Sequence, residues 1–244
     1  DRDMGPRHTT PHIGLAYVAA YLREKGYEVS VIDSVAEKLK LREVLGRVKR
    51  ARPGFIGITA TSMQINEAHL TAELIKEGMD VPIIVGGYHA TALPKETLEH
   101  SRYFDCAVFG EGELTMFEVL QRLEKGAGLA GVLGAAYRDG DAVKVNAPRP
   151  RIKDLDSMPF PAFELFPLGK YHPCASTSKD IIEVPISTSR GCPYQCIFCA
   201  RPLGNQVVMR SAESVVKEIA RDVSELKVNQ VLFADETFTL DKQR

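Results

Sequence analysis

One stretch limits what this chain can fold into: Gly191-Cys192-Pro193-Tyr194-Gln195-Cys196-Ile197-Phe198-Cys199, with three cysteines in a Cys-x-x-x-Cys-x-x-Cys run. The run follows on an apolar segment, 181–186, which reads as a strand over 181–187. A strand must therefore deliver a loop that carries three thiols. Thiolates are soft ligands suited to iron–sulfur clusters and to zinc. A cubane cluster normally takes four cysteines, so three closely spaced ones leave one iron without a protein ligand. An iron with an open position can bind a substrate.

Structural zinc is the competing reading. Cys196 and Cys199 have zinc-like spacing, and His172 or Cys174 could complete a tetrahedron. Such sites usually pair two short knuckles, and the sequence holds no second one. Five scattered cysteines in a chain with no visible signal peptide make a poor disulfide framework. Free thiols of this kind suit a reducing cytoplasm.

Of the 244 residues, 44% are hydrophobic, enough for one large or two modest cores. The formal net charge of −1 gives no electrostatic case for nucleic acid. No apolar run approaches the roughly 20 residues of a membrane span.

From Ile13 the pattern alternates between helix and strand. Residues 13–25 carry apolar positions at helical spacing, with Gly26 as the stop. Residues 27–32 alternate polar and apolar, which predicts a strand. A basic amphipathic helix is predicted over 37–50, then a buried strand over 55–60 and a helix over 65–77. Further strands are predicted over 82–85 and 105–109, and a helix over 114–125. Strands separated by helices of this length imply a doubly wound, flavodoxin-like parallel sheet, with ligands beyond the carboxyl ends of the strands. The turns there are 59–63, 86–91 and 110–113. Any one of them reads as an ordinary tight turn; three on one rim point towards a binding site.

A hairpin is predicted around Asp139-Gly140. Residues 146–178 are rich in proline but carry Phe160, Phe163 and Phe166, which favours an ordered bridge between domains over a flexible tether. Residues 181–187 then begin a (β/α) barrel with the cysteine loop at the strand's carboxyl end. Ser211 caps a helix over 212–226, and 230–234 is the second strand, followed by Asp235-Glu236. Those two carboxylates read equally well as an exposed acidic turn or as partners for a bound ammonium group.

The cysteine run, with Phe198 before its last cysteine, resembles the signature of radical S-adenosylmethionine (SAM) enzymes. That resemblance implies a [4Fe-4S] cluster on Cys192, Cys196 and Cys199, with Phe198, Asp235 and Glu236 near SAM. Upstream, residues 11–17, Thr61-Ser62-Met63, Gly86-Gly87-Tyr88-His89 and Gly110-Glu111-Gly112-Glu113 are similar to turns of the cobalamin-binding domain that precedes many radical SAM domains. The resemblance implies cobalamin contacts from Thr61, Ser62, Gly86, Gly87, Tyr88, His89, Gly110, Glu111 and Gly112. The Asp-x-His-x-x-Gly pattern of mutase-type cobalamin proteins is absent. Cobalamin is thus expected without a histidine on cobalt, and His8, His12 and His89 are expected to be loop or packing residues.

The implied organisation is a cobalamin-binding domain over 1–130, a connector over 131–180 and the start of a radical SAM barrel over 181–244. The first sheet strand and the remaining barrel strands are expected to lie outside this stretch, as in a fragment. The resemblance implies reductive cleavage of SAM to a 5′-deoxyadenosyl radical, and methylation of an unactivated carbon through methylcobalamin. It also implies a small-molecule or peptide substrate and an electron donor such as flavodoxin or ferredoxin. Two alternatives are a cyclase or rearrangement enzyme using both cofactors, and a non-catalytic cobalamin module with a zinc site. A methylthiotransferase-like tRNA modifier would bring three more cluster cysteines near its N-terminus, where this chain has only Cys106.

Overall fold

The computed structural model describes residues 9–172 and 180–243. His8 and Cys174 lie outside the described residues. The chain divides into two compact units: Asp1–Lys38 with Ile152–Arg244, and Leu39–Arg151. These units cut the chain differently from boundaries at 130 and 180. The reason is helix α1 (Ile13–Glu24): its Ala16, Ala19 and Ala20 are buried in clusters that also hold Ala162 and Phe163, so the helix belongs with the later half of the chain.

The predicted strand over 27–32 does not form. Tyr27, Val29 and Val31 are half-buried while Glu28 and Ser30 are exposed, so the period-2 pattern reports burial, but the segment joins no sheet. The helix predicted over 37–50 starts later. Asp33 accepts the Val35 and Ala36 N–H groups, and Lys38 adopts a left-handed φ of 53°, which breaks the path.

In the unit Leu39–Arg151, α2 (Leu41–Ala51) opens where Glu43 accepts the Lys40 N–H at 2.8 Å. It is followed by β1 (Ile56–Thr59), α3 (Ile65–Gly78), β2 (Ile83–Gly86), α4 (Tyr88–Ala92), α5 (Pro94–His100), β3 (Cys106–Val108) and α6 (Gly112–Glu124). The hairpin β4 (Ala135–Asp139) and β5 (Ala142–Val145) closes the unit.

These strands make one five-stranded sheet in the order β1-β2-β3-β4-β5. The first three are parallel, whereas β4 and β5 run antiparallel. The sheet is thus mixed rather than wholly parallel. The hairpin read as part of the connector is its edge. Arg138 fixes it there, donating to the carbonyls of Phe104 at 3.3 Å and Ser101 at 2.8 Å, and to that of Leu98. Ile83, Ile84, Val85, Cys106 and Ala107 are buried, as strands covered on both faces require.

In the other unit, β6 (Glu183–Ile186) pairs in parallel with β9 (Gln230–Phe233). Between them lie β7 (Ser189–Arg190), β8 (Val208–Met209) and α7 (Ala212–Leu226). The Ser211 hydroxyl accepts the Ser214 N–H at 3.1 Å, so α7 begins where a serine cap places it. Its Val215 packs with Ala16, Phe163, Phe166, Val184 and Ile186. The phenylalanine-rich stretch is therefore ordered, and Phe163 and Phe166 meet edge to face at 6.3 Å. Among the described residues, no helix is long and apolar enough to cross a membrane.

Candidate functional site

The carboxyl ends of β1, β2 and β3 lie side by side, since the strands are parallel neighbours and Thr59 is level with Gly86. The three turns leaving that edge are cross-linked. Ser62 Oγ and His89 Nδ1 are 2.9 Å apart, joining the first turn to the second. The Gly110 N–H donates to Thr91 Oγ1 at 3.1 Å, joining the second to the third. Gln64 Oε1 accepts from the Thr61 hydroxyl at 3.0 Å, ordering the entry to α3.

The expected rim residues divide by what their surroundings demand. Ser62, Met63 and Tyr88 are exposed, Met63 91% so. A Cβ at Gly110 would meet nothing within 4 Å, so this edge is open to an incoming group. Gly87 has a φ of 92°, and a Cβ there would stand 2.8 Å from the Ala60 carbonyl oxygen. Its smallness is required by the fold itself. Glu111 is buried and faces Arg151, whose Nε lies 3.0 Å from the carboxylate. Gly112 opens α6. His12 accepts the Leu15 N–H through Nδ1 at 3.1 Å, capping α1, and burial lowers its pKa.

The cysteine run forms the arc between β7 and β8, which pair antiparallel as Ser189 with Met209 and Arg190 with Val208. At its start Gly191, with a φ of 92°, turns the chain. The Cys192 N–H donates to the Gly204 carbonyl at 3.4 Å, and the Cys199 N–H to the Cys196 carbonyl at 3.0 Å. Cys192 is half-buried, whereas Cys196, Ile197, Phe198 and Cys199 are exposed. None of these cysteines is in a disulfide.

The acidic residues after β9 reach this loop. Asp235 accepts from the Thr188 N–H at 3.2 Å, the Thr188 hydroxyl at 2.8 Å and the Ser189 hydroxyl. Glu236 accepts the Gly191 N–H at 3.0 Å, and Thr237 Oγ1 lies 3.2 Å from Cys192 Sγ. Below the loop Arg210 donates to the Ser187 carbonyl at 3.1 Å and pairs with Glu218, both side chains buried. Burial pushes the Glu218 pKa up to about 7 against the pull of Arg210.

Residues 6–120 match the family described as the B12 binding domain. Over those residues the chain is similar to the B12-binding domain of cobalamin-dependent radical SAM methyltransferase-like proteins. It is 36% identical over 239 residues to an uncharacterized methyltransferase of Pyrococcus horikoshii, covering 97% of this chain and 51% of that protein. It is 29% identical over 241 residues to an anaerobic magnesium-protoporphyrin IX monomethyl ester cyclase of Rubrivivax gelatinosus, covering 96% and 43%. The chain thus spans about half the length of the curated relatives it matches, or less. Its fold resembles that of the cobalamin-dependent S-adenosylmethionine radical enzyme OxsB, solved with aqua-cobalamin and S-adenosylmethionine bound. There the TM-score is 0.80 at 24% identity, covering 96% of this chain and 32% of that one. The fold of TsrM from Kitasatospora setae, solved with cobalamin and a [4Fe-4S] cluster, gives a TM-score of 0.74 at 18% identity, covering 95% and 46%.

On this rim the space around Gly110 is open, and Met63 and Tyr88 are exposed. The cysteine loop offers a soft donor set free of disulfides, although among the described residues no three Cys, His, Asp or Glu side chains already stand at metal-holding distance. Cys106 is not a fourth donor: it is fully buried in β3, and burial pushes its thiol pKa far up. The reading from sequence missed Thr188 and Thr237. Thr237 stands next to Asp235-Glu236, but nothing local marks its partner 45 residues away.

Proposed function

We propose that the chain is part of a cobalamin-dependent radical SAM enzyme that methylates an unactivated carbon. The observation that carries this reading is one chain holding both a B12-binding domain and three thiols on a braced loop at the end of a parallel strand. In it, β6, α7 and β9 are the first steps of a radical SAM barrel. Cys192, Cys196 and Cys199 hold a [4Fe-4S] cluster, and the exposed Phe198 lies against SAM. Thr61, Ser62, Gly86, Tyr88, His89 and Gly110 contact cobalamin directly, while Gly87, Glu111 and Gly112 shape the turns that do so.

The cluster supplies one-electron chemistry at its open iron; the protein supplies binding, orientation and electrostatics. Asp235 and Glu236, expected beside the ammonium of SAM, also brace the cysteine loop by accepting from Thr188, Ser189 and the Gly191 N–H. An electron donor such as flavodoxin or ferredoxin and a small-molecule or peptide substrate complete the reading.

Anaerobic reconstitution with iron, sulfide, SAM and hydroxocobalamin tests it, with products identified by mass. Methyl transfer yields S-adenosylhomocysteine as well as 5′-deoxyadenosine. Zinc bound in place of iron would overturn the enzyme reading. The likeness to the ester cyclase supports a second reaction on the same cofactors, oxidative ring closure. It yields 5′-deoxyadenosine without S-adenosylhomocysteine.

A further inference from the structure

We propose that Thr237 is a positioning residue for the cluster: its hydroxyl donates to the Cys192 sulfur and raises the cluster's reduction potential. This rests on the reading that Cys192, Cys196 and Cys199 hold iron.

The contact is 3.2 Å between Thr237 Oγ1 and Cys192 Sγ. In a free thiol either atom can donate. A cysteine that ligates iron is a thiolate and has no proton to give, so Thr237 becomes the donor. The placement is not left to a flexible side chain. Thr237 follows two residues that both anchor to the same loop: Asp235 holds Thr188 and Ser189, and Glu236 holds the Gly191 N–H beside Cys192. Three consecutive residues after β9 thus clasp three places on the segment leading into the first cysteine. Cys192 is also the half-buried member of the three, where a hydrogen bond to sulfur is less diluted by water.

One-electron reduction adds negative charge to the cluster and its sulfur ligands. A donor to one sulfur stabilises the reduced state more than the oxidised one, which moves the potential upward. The contact therefore bears on how readily a donor protein reduces the site.

The test is the midpoint potential of the full chain, reconstituted anaerobically with iron and sulfide and titrated under paramagnetic resonance. Thr237→Val keeps the shape of the side chain and removes the donor. The expected result is unchanged iron content and circular dichroism with a midpoint shifted to more negative values. Thr237→Ser should restore the wild-type value. If the valine variant does not fold, Thr237→Ala, which adds no bulk, takes its place. A wild-type midpoint in an iron-loaded valine or alanine variant overturns the role of Thr237 alone. A wild-type chain that takes up no iron overturns the cluster reading, and this inference with it.

Discussion

Alanine at Gly87 would place a methyl group where β2 turns into α4. The backbone there has φ 92° and ψ −167°, a region that side chains other than glycine avoid at a cost of about 1–3 kcal/mol. The new Cβ would stand 2.6 Å from Thr59 Oγ1, 2.8 Å from the Ala60 oxygen and 3.0 Å from the Ala60 nitrogen. Thr59 can rotate away, but Ala60 cannot. Its N–H donates to the Gly86 carbonyl at 3.1 Å and its carbonyl accepts from the His89 N–H at 3.2 Å, so moving it parts the ends of β1 and β2. Overpacking of this kind costs about 1–3 kcal/mol, and with the backbone strain the loss comes to about 2–6 kcal/mol. In a chain of this size that lowers the melting temperature on the order of 10 °C. Gly110→Ala is the internal control. Gly110 also has a positive φ, 77°, but open space around its Cβ position, so strain alone applies, about 1–2 kcal/mol. Urea denaturation of both variants decides the matter. If Gly87→Ala costs no more than Gly110→Ala, the close approach to Ala60 is not what selects glycine, and the assignment of Gly87 to the fold rather than to the ligand fails.

Cys196→Ala should abolish SAM cleavage while leaving the visible spectrum of bound cobalamin unchanged; loss of both together would contradict separate sites for the two cofactors. Glu218→Gln should flatten the pH dependence of stability. A carboxyl whose pKa rises from 4.5 to about 7 on folding contributes stability that is present below the unfolded value and lost as pH climbs to the folded one, up to about 3 kcal/mol. Denaturation midpoints at pH 5 and pH 8 should therefore differ less in the variant than in the parent, and an equal difference would refute the shift. Phe163→Ala should cost about 3–5 kcal/mol, because the ring is fully buried between α1, the proline-rich stretch and β6. Proteolysis under native conditions should then open 152–172 together with α1, whereas an effect confined to the proline-rich stretch would argue against their shared core.

What could be read from sequence, and what could not, divides by the reach of the interactions. Helix α7 was legible to the residue, because a serine cap acts over three positions. The turn at Asp139-Gly140 was legible for the same reason. Its place on the sheet was not, because it depends on Arg138 reaching carbonyls 34 and 37 residues earlier. Residues 27–32 show the limit most clearly: alternation correctly reported which side chains are covered, yet a strand also needs a ladder partner, and periodicity is blind to partners. The cysteine loop obeys the same division. The three sulfurs fall within eight residues, so the donor set announced itself. Asp235 and Glu236 were visible as an acidic turn or as partners for a bound ammonium, but not as braces of the loop, and their contacts with it, like that of Thr237, span 45 to 47 residues. A soft ligand set is thus written locally, while the groups that fix its geometry and tune it are written in the topology. It is for this reason that the parallel pairing of β6 with β9, rather than the cysteine spacing alone, makes the loop a plausible centre for chemistry: it is the pairing that brings a hydroxyl to Cys192 and a carboxylate to the N–H beside it.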